Sequence, residues 1–279
     1  MTKNIINHSI IQNCKNTLGE GLHVCISGLY WLDIIEAKLF VKSDDELFFE
    51  FNLPEQASSI LKVDNQIVYL ASESGLCIFD IENQDWSVIA AIPDNENLSS
   101  MRANDGVAVD DGRYFFGTME KQISGSNGSL YIATEESISK VHDGIGIPNS
   151  FIRVNEYSFL VSDSFKSVIY RFTFNTQFSA IEKCELWLDL SNFRFTPDGG
   201  CIDVHGNIYI AMWNGSCVHK YSKHADLIST YQLPALKPTN CKLSMDGKSL
   251  LVTTARQDMS ESELEKYPRS GSLFQIGLS

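Results

Sequence analysis

Four short segments of this chain set acids, amides and a guanidinium beside glycine or proline, and they are its best candidates for chemistry. Leu18-Gly19-Glu20-Gly21 holds a carboxylate between two glycines. Arg102-Ala103-Asn104-Asp105-Gly106 adds a cation, an amide and a second acid. Ile147-Pro148-Asn149-Ser150 and Thr196-Pro197-Asp198-Gly199-Gly200 share a pattern, Pro followed by Asn or Asp and then a small residue. Such side chains supply oxygen donors and charged hydrogen bonds, the equipment of a polar site. Taken singly each reads as a turn, as Asp-Gly does again at Asp111, Asp143 and Asp246. Other chemistries lack their signatures. There is no G-x-S-x-G nucleophile elbow, no H-E-x-x-H and no phosphate-binding glycine loop. The six histidines, His8, His23, His142, His205, His219 and His224, have no metal-ligand spacing and are expected on surfaces and turns.

What makes the four segments interesting is the repeat that contains them. Period-2 segments bounded by turn residues recur along the chain, as in GLYWLDIIEAKLFV from Gly28 and GNIYIAMWNGSCVHKY from Gly206. Aligning the first strand of each unit on Tyr30, Tyr69, Tyr114, Phe159, Tyr209 and Leu250 gives six units spaced by roughly 40 to 50 residues, the period of a propeller blade. The fold class expected is therefore all-β, a six-bladed β-propeller, with residues 1–279 forming one domain. The four segments open their units. In a propeller, equivalent blade entrances converge on the central channel although far apart in sequence. Ser9 to Cys14 is expected to pair with the C-terminal strands and close the ring, removing exposed sheet edges. Asn127-Gly128 and Asn214-Gly215 predict type I′ hairpin turns. Ser260 to Lys266 reads as a loop or one helical turn.

Composition narrows the partners. With 43% hydrophobic and 11% aromatic residues, the chain is neither disordered nor fibrous. Twenty-two basic against 35 acidic residues give a formal net charge of -13. That field repels nucleic acid and anionic membranes and welcomes a metal cation. Seven cysteines without a C-x-x-C pair suit reduced thiols in a cytoplasmic protein. Met1 to Asn16 has no apolar core of signal-peptide length, and no apolar run approaches the roughly 20 residues of a membrane helix. The Asn-x-Ser sequences at Asn97, Asn127 and Asn214 accordingly carry no glycan in a cytoplasmic setting. A monomer or weak homo-oligomer is expected.

The same segments carry a family resemblance that runs from Leu18 to the C-terminus. LGEG with LYWLDI, R-x-NDG with GRYFFGTM, IPNS with SDS, PDGGCIDVHGNIYIAMWNG, PTNC and LLVTTAR occur in order at family-like intervals. With these blocks the chain resembles the gluconolactonase, regucalcin (senescence marker protein) and luciferin-regenerating enzyme family. The resemblance implies a six-bladed propeller with one divalent metal in its central channel and lactone hydrolysis as the activity. Glu20, Asn149 and Asp198 would be the metal ligands, all oxygen donors suited to Ca²⁺, with Zn²⁺, Mn²⁺ or Mg²⁺ as alternatives. The metal would polarise a lactone carbonyl while Asp198 positions or deprotonates water. Arg102 and Asn104 would face the substrate. Where animal lactonases of the family carry an acid that contacts substrate hydroxyls, this chain has Gln122, with Glu120 two residues earlier. Tyr30, Trp31 and Trp213 fall in the matching motifs and are expected to pack the core. A sugar lactone is the substrate expected. Two other readings stay open: a phosphotriesterase-like or general ester hydrolase, and a non-catalytic metal-binding propeller that engages a protein.

Overall fold

The computed structural model describes residues 3–5, 7–93 and 100–278, so the Asn97 sequence lies outside the described residues. Six sheets follow one another around a ring, each built on antiparallel strands, and the four-stranded meanders of the first five are taken in chain order. Their inner strands are Gly19–Cys25, Ala57–Asp64, Met101–Ala108, Pro148–Arg153, Thr196–Ile202 and Lys237–Leu243. Each inner strand packs on that of the next blade, and the sixth packs on the first. The sixth blade takes its outer strand, His8–Gln12, from the other end of the chain, antiparallel to Leu273–Gly277. This is the closure expected of Ser9 to Cys14. Strand Lys3–Ile5 runs on to the fifth blade, where it pairs in parallel with Leu227–Gln232.

Alternation along the strands explains why the blades stack. In the third blade, Tyr114 and Phe116 pack against Leu61 and Leu76 of the second, while Phe115 between them packs against Phe151 and Phe159 of the fourth. Leu250 and Val252 likewise face the fifth blade, and Leu251 faces Trp31 and Phe40 of the first. Side chains pointing to opposite faces of a strand thus fill two separate cores. Every central strand is buried on both sides, which gives runs such as Tyr114-Phe115-Phe116 rather than an apolar–polar alternation.

Several local expectations are corrected. The aligned positions Tyr30 to Leu250 lie on the second strand of each blade, not the first. The strongest apolar runs belong to the strand with neighbours on both edges, so the alignment found the centre of each blade. Asn127-Gly128 forms no two-residue turn. A seven-residue loop, 121–127, separates the strands, and Gly128 opens the next one. A Cβ there would lie 2.0 Å from the Thr118 carbonyl oxygen, so this glycine answers to close backbone approach. At Asn214-Gly215 the positive φ values fall on Asn214 and Ser216 around a three-residue link. Residues Glu261–Lys266 form a short helix closed by a capping box, in which Ser260 Oγ accepts from Glu263 N–H and Glu263 Oε2 from Ser260 N–H. The S-x-x-E signature was present in the sequence. His219 is buried beside Tyr221, its Nδ1 2.9 Å from the tyrosine hydroxyl, and His23 lies within a strand; neither is a surface or turn residue.

Candidate active site

Every inner strand is interrupted at its channel end by a register shift. Five of these shifts fall at Glu20/His23, Ala103/Gly106, Asn149/Ile152, Pro197/Gly200 and Pro238/Cys241. The second blade shifts at Ala57/Ser59. A bulge places consecutive residues opposite one partner and re-aims their side chains. This is how strands stacked side by side turn polar residues into the channel without unpairing their remaining length.

Two carboxylates fix the chain immediately before the site. Asp33, at the end of the first blade's second strand, accepts from the N–H groups of Thr17 at 2.6 Å and Leu18 at 3.0 Å. Asp163 does the same in the fourth blade, accepting from Gly146 at 3.2 Å and Ile147 at 3.3 Å. Glu20 and Asn149 each follow these pinned segments by two residues. The local sequence also demands its glycines. Gly21 has φ +60, and a Cβ on it would lie 2.8 Å from Leu32 Cδ1. A Cβ on Gly199 would lie 2.6 Å from the Asn240 side chain, so the fifth and sixth blades meet only because that position is bare.

Five of the six predicted site residues come together. Glu20, Arg102, Asn104, Asn149 and Asp198 line one cavity of about 260 Å³ at the mouth of the channel, with contributions from four blades. All five are buried. Arg102 Nη1 donates to Asn104 Oδ1 at 2.7 Å and to the Ala103 carbonyl at 2.9 Å. Asn104 Nδ2 donates to Asn149 Oδ1 at 2.8 Å and to the Pro148 carbonyl at 3.0 Å. Asn149 Nδ2 donates to Ser164 Oγ at 3.0 Å, and Ser164 Oγ donates to the Pro197 carbonyl. Ser150 Oγ donates to the Asp198 carbonyl, which ties the fourth blade to the fifth directly beneath the site. Gln122 is exposed and does not line the cavity; its neighbour Ile123 does.

Sequence reasoning gave no site role to four residues of the site and its surroundings. Asn240 Nδ2 donates to Glu20 Oε2 at 3.3 Å, and its Oδ1 is buried without a hydrogen-bond partner. Its signal was PTNC, a Pro-x-Asn at the entrance of the sixth blade, one residue longer than the Pro-Asn and Pro-Asp of the fourth and fifth. Ser164 was legible only as part of SDS. Asp105, beside Asn104 in sequence, is buried and accepts from Gly106 N–H at 2.7 Å. Trp213 is half-buried against Leu18, Ile34 and Ala255 with an edge on the cavity, so it is a wall as well as packing.

The electrostatics are those of a crowded acidic floor. Burial, and then the charge of Asp105, push the Glu20 carboxyl up to about 8; the Gly21 N–H, Asn240 and Arg102 pull it back. Burial, Glu20 and Asp105 hold Asp198 well above the usual carboxylate range. Burial lowers the Arg102 guanidinium to about 10, against the pull of Glu20, Glu73 and Asp198. Among the described residues no three His, Cys, Asp or Glu side chains cluster to hold a metal. The donor set at the channel mouth is of a different composition: two carboxylates, Glu20 and Asp198, and the amide oxygen of Asn149. Hard oxygen donors with unrelieved negative charge fit a divalent cation such as Ca²⁺, which also takes water or substrate oxygens to complete its shell. The orphaned Asn240 Oδ1 adds one more buried acceptor beside Glu20.

Comparison with known proteins gives a consistent picture. Residues 18–256 match the family model described as SMP-30/Gluconolactonase/LRE-like region. The chain is 27% identical to regucalcin of Oryctolagus cuniculus over 93% of its length and 92% of the relative's. It is 28% identical to a pentonolactonase of Haloferax volcanii over 94% of its length and 91% of the relative's. Among solved structures, a calcium-binding regucalcin from Agrobacterium tumefaciens superposes with a TM-score of 0.93 at 23% identity, over 100% of this chain and 96% of that one.

Proposed function

The chain belongs to the SMP-30/gluconolactonase/LRE-like family, and from that premise we propose that it is a lactonase whose catalytic centre is the polar floor of the channel mouth. The observation that carries the reading is the convergence of Glu20, Arg102, Asn104, Asn149 and Asp198, from four blades, on one cavity. Glu20, Asn149 and Asp198 would hold one divalent cation, with Ca²⁺ the best match to their oxygen chemistry. When bound, that cation supplies a Lewis acid for the lactone carbonyl and a counter-charge for the oxygen as it becomes negative.

The remaining steps belong to the chain's own groups. The Asp198 carboxylate orients a water molecule toward the carbonyl carbon and accepts its proton as the new C–O bond forms. The bond between the acyl carbon and the ring oxygen then breaks, and the ring oxygen takes up the proton that Asp198 accepted, which gives a hydroxy acid and restores the Asp198 carboxylate. Arg102, its charge undiminished at neutral pH, donates to substrate oxygens with the N–H groups not committed to Asn104 and Ala103. Asn104 fixes Arg102 on one side and Asn149 on the other, so it positions both a substrate contact and a metal ligand. A cytoplasmic setting fits the seven free cysteines, a small-molecule substrate fits the cavity, and we include both in the proposal.

The test is hydrolysis of a lactone panel by chelated protein, with and without added Ca²⁺, Zn²⁺, Mn²⁺ or Mg²⁺, beside Asp198→Ala. Metal-dependent turnover that the substitution lowers by a factor of about 10² or more supports the reading. Cation binding with no lactone turned over would point to a different ester or to a non-catalytic metal-binding propeller.

A further inference from the structure

The cavity divides by chemistry into a floor and walls. Its floor is polar, but most of its hydrogen-bonding capacity is already committed. Asn104 accepts from Arg102 through Oδ1 and spends both amide hydrogens on Pro148 and Asn149. Ser164 donates to the Pro197 carbonyl and accepts from Asn149. Glu20, Asn149 and Asp198 are the cation's donors in the reading above. Above the floor the walls are Leu18, Met119, Ile123, Ile147 and Trp213. Trp213 is held in place from two sides: Lys237 Nζ stands 4.7 Å from its ring centroid, and Leu18, Ile34 and Ala255 pack on it. Thr196, Gln257 and Asp258 complete the lining with polar side chains. In the loop after Met119, the side chain that reaches the cavity is Ile123, while Gln122 stays in solvent.

We propose that the preferred substrate is a lactone whose ring carries an alkyl substituent rather than several hydroxyl groups. The inference rests on the lactonase reading and concerns only what surrounds the ester. A ring hydroxyl buried against these walls without a partner loses its hydrogen bonds to water and gains none in return. Each alkyl CH₂ placed there instead leaves water for an apolar surface, which favours binding. Arg102, Thr196, Gln257 and Asp258 offer partners for a few substrate oxygens, while the five apolar side chains offer none to the hydroxyls of a fully hydroxylated ring. The walls therefore select hydrocarbon while the floor acts on the ester.

The test compares two lactones of the same ring size, δ-nonalactone and D-glucono-δ-lactone, with the cation-loaded protein. The expected result is a kcat/KM at least about tenfold higher for the alkyl lactone. Ile123→Asn, at an exposed loop position that tolerates a polar side chain, and Trp213→Ala should each lower that ratio several-fold, chiefly by raising KM for δ-nonalactone. A preference for the hydroxylated lactone would overturn the inference and leave the lactonase reading standing. A ratio that neither substitution moves would overturn the role given to the walls. Turnover of neither compound, nor of any other lactone, would overturn the lactonase reading and this inference with it.

Discussion

Glu20 and Asp198 are acids that the fold has taken out of water and set near each other with Asp105 close by, at a cost to stability. A carboxyl whose folded pKa lies above its ordinary value keeps its proton longer in the folded chain than in the unfolded one. The unfolded state therefore binds fewer protons over that window, and stability falls as pH rises. For Glu20 the fall starts near the ordinary carboxylate range and is complete at about 8. The half-buried His23 and the buried His219, both lowered by burial to about 4, act in the opposite sense at the acid end of the same window. The informative quantity is thus the difference between the chelated wild type and chelated Glu20→Gln, in which the histidines cancel. The melting temperature of the variant should gain on wild type steadily toward about pH 8 and plateau above it. Added Ca²⁺ should raise the melting temperature of wild type and leave the variant unmoved. A gap that does not change with pH would contradict this account of the floor.

At the scale of the element, a site built at strand ends depends on what anchors those ends. Asp163 reaches back to Gly146 and Ile147 and is fully buried, so its carboxylate sets where Asn149 enters the channel. Asp163→Ala leaves two backbone N–H groups without that acceptor, and charged hydrogen bonds of this kind are worth about 1.5–3 kcal/mol. We expect a loss of about 2–4 kcal/mol in urea unfolding, together with weaker cation binding measured calorimetrically. Asp163→Asn, which keeps one acceptor oxygen, should recover part of both. The blades themselves were legible in the sequence because a strand between two neighbours needs apolar side chains on both faces, as at Tyr114-Phe115-Phe116. Glu20, Asn149 and Asp198 were legible because glycine and proline mark the entrances where bulges form. What was hidden depended on long-range packing. Asn240 meets Glu20 across the point where the sixth blade meets the first, and no local pattern announces that contact. Asn127-Gly128 misled because its glycine serves a close approach to Thr118, which only the paired strands create.

For the whole molecule, the ring is held shut by strands from opposite ends of the chain. Removing residues 1–12 would bare the edges of Leu273–Gly277 and Leu227–Gln232. At about 1 kcal/mol for each lost ladder bond, the cost is roughly 3–5 kcal/mol. For a protein of this size that corresponds to a fall in melting temperature of roughly 10 °C. The uncovered edges should also produce concentration-dependent aggregation, visible by light scattering, because unpaired strands recruit other chains. A truncated protein as stable and monodisperse as the intact one would show that the closing strands contribute little. The same pairing imposes an order of events during synthesis. His8–Gln12 is made before the inner strand of every blade and has no strand to join until Leu273–Gly277, which follows them in the chain, has emerged. Five blades can stack as they appear, but the sixth cannot be completed before Leu273–Gly277 is made. Until then the nascent chain carries an unsatisfied early strand and an open blade edge behind it, which makes those two segments the natural targets of any chaperone that attends its birth.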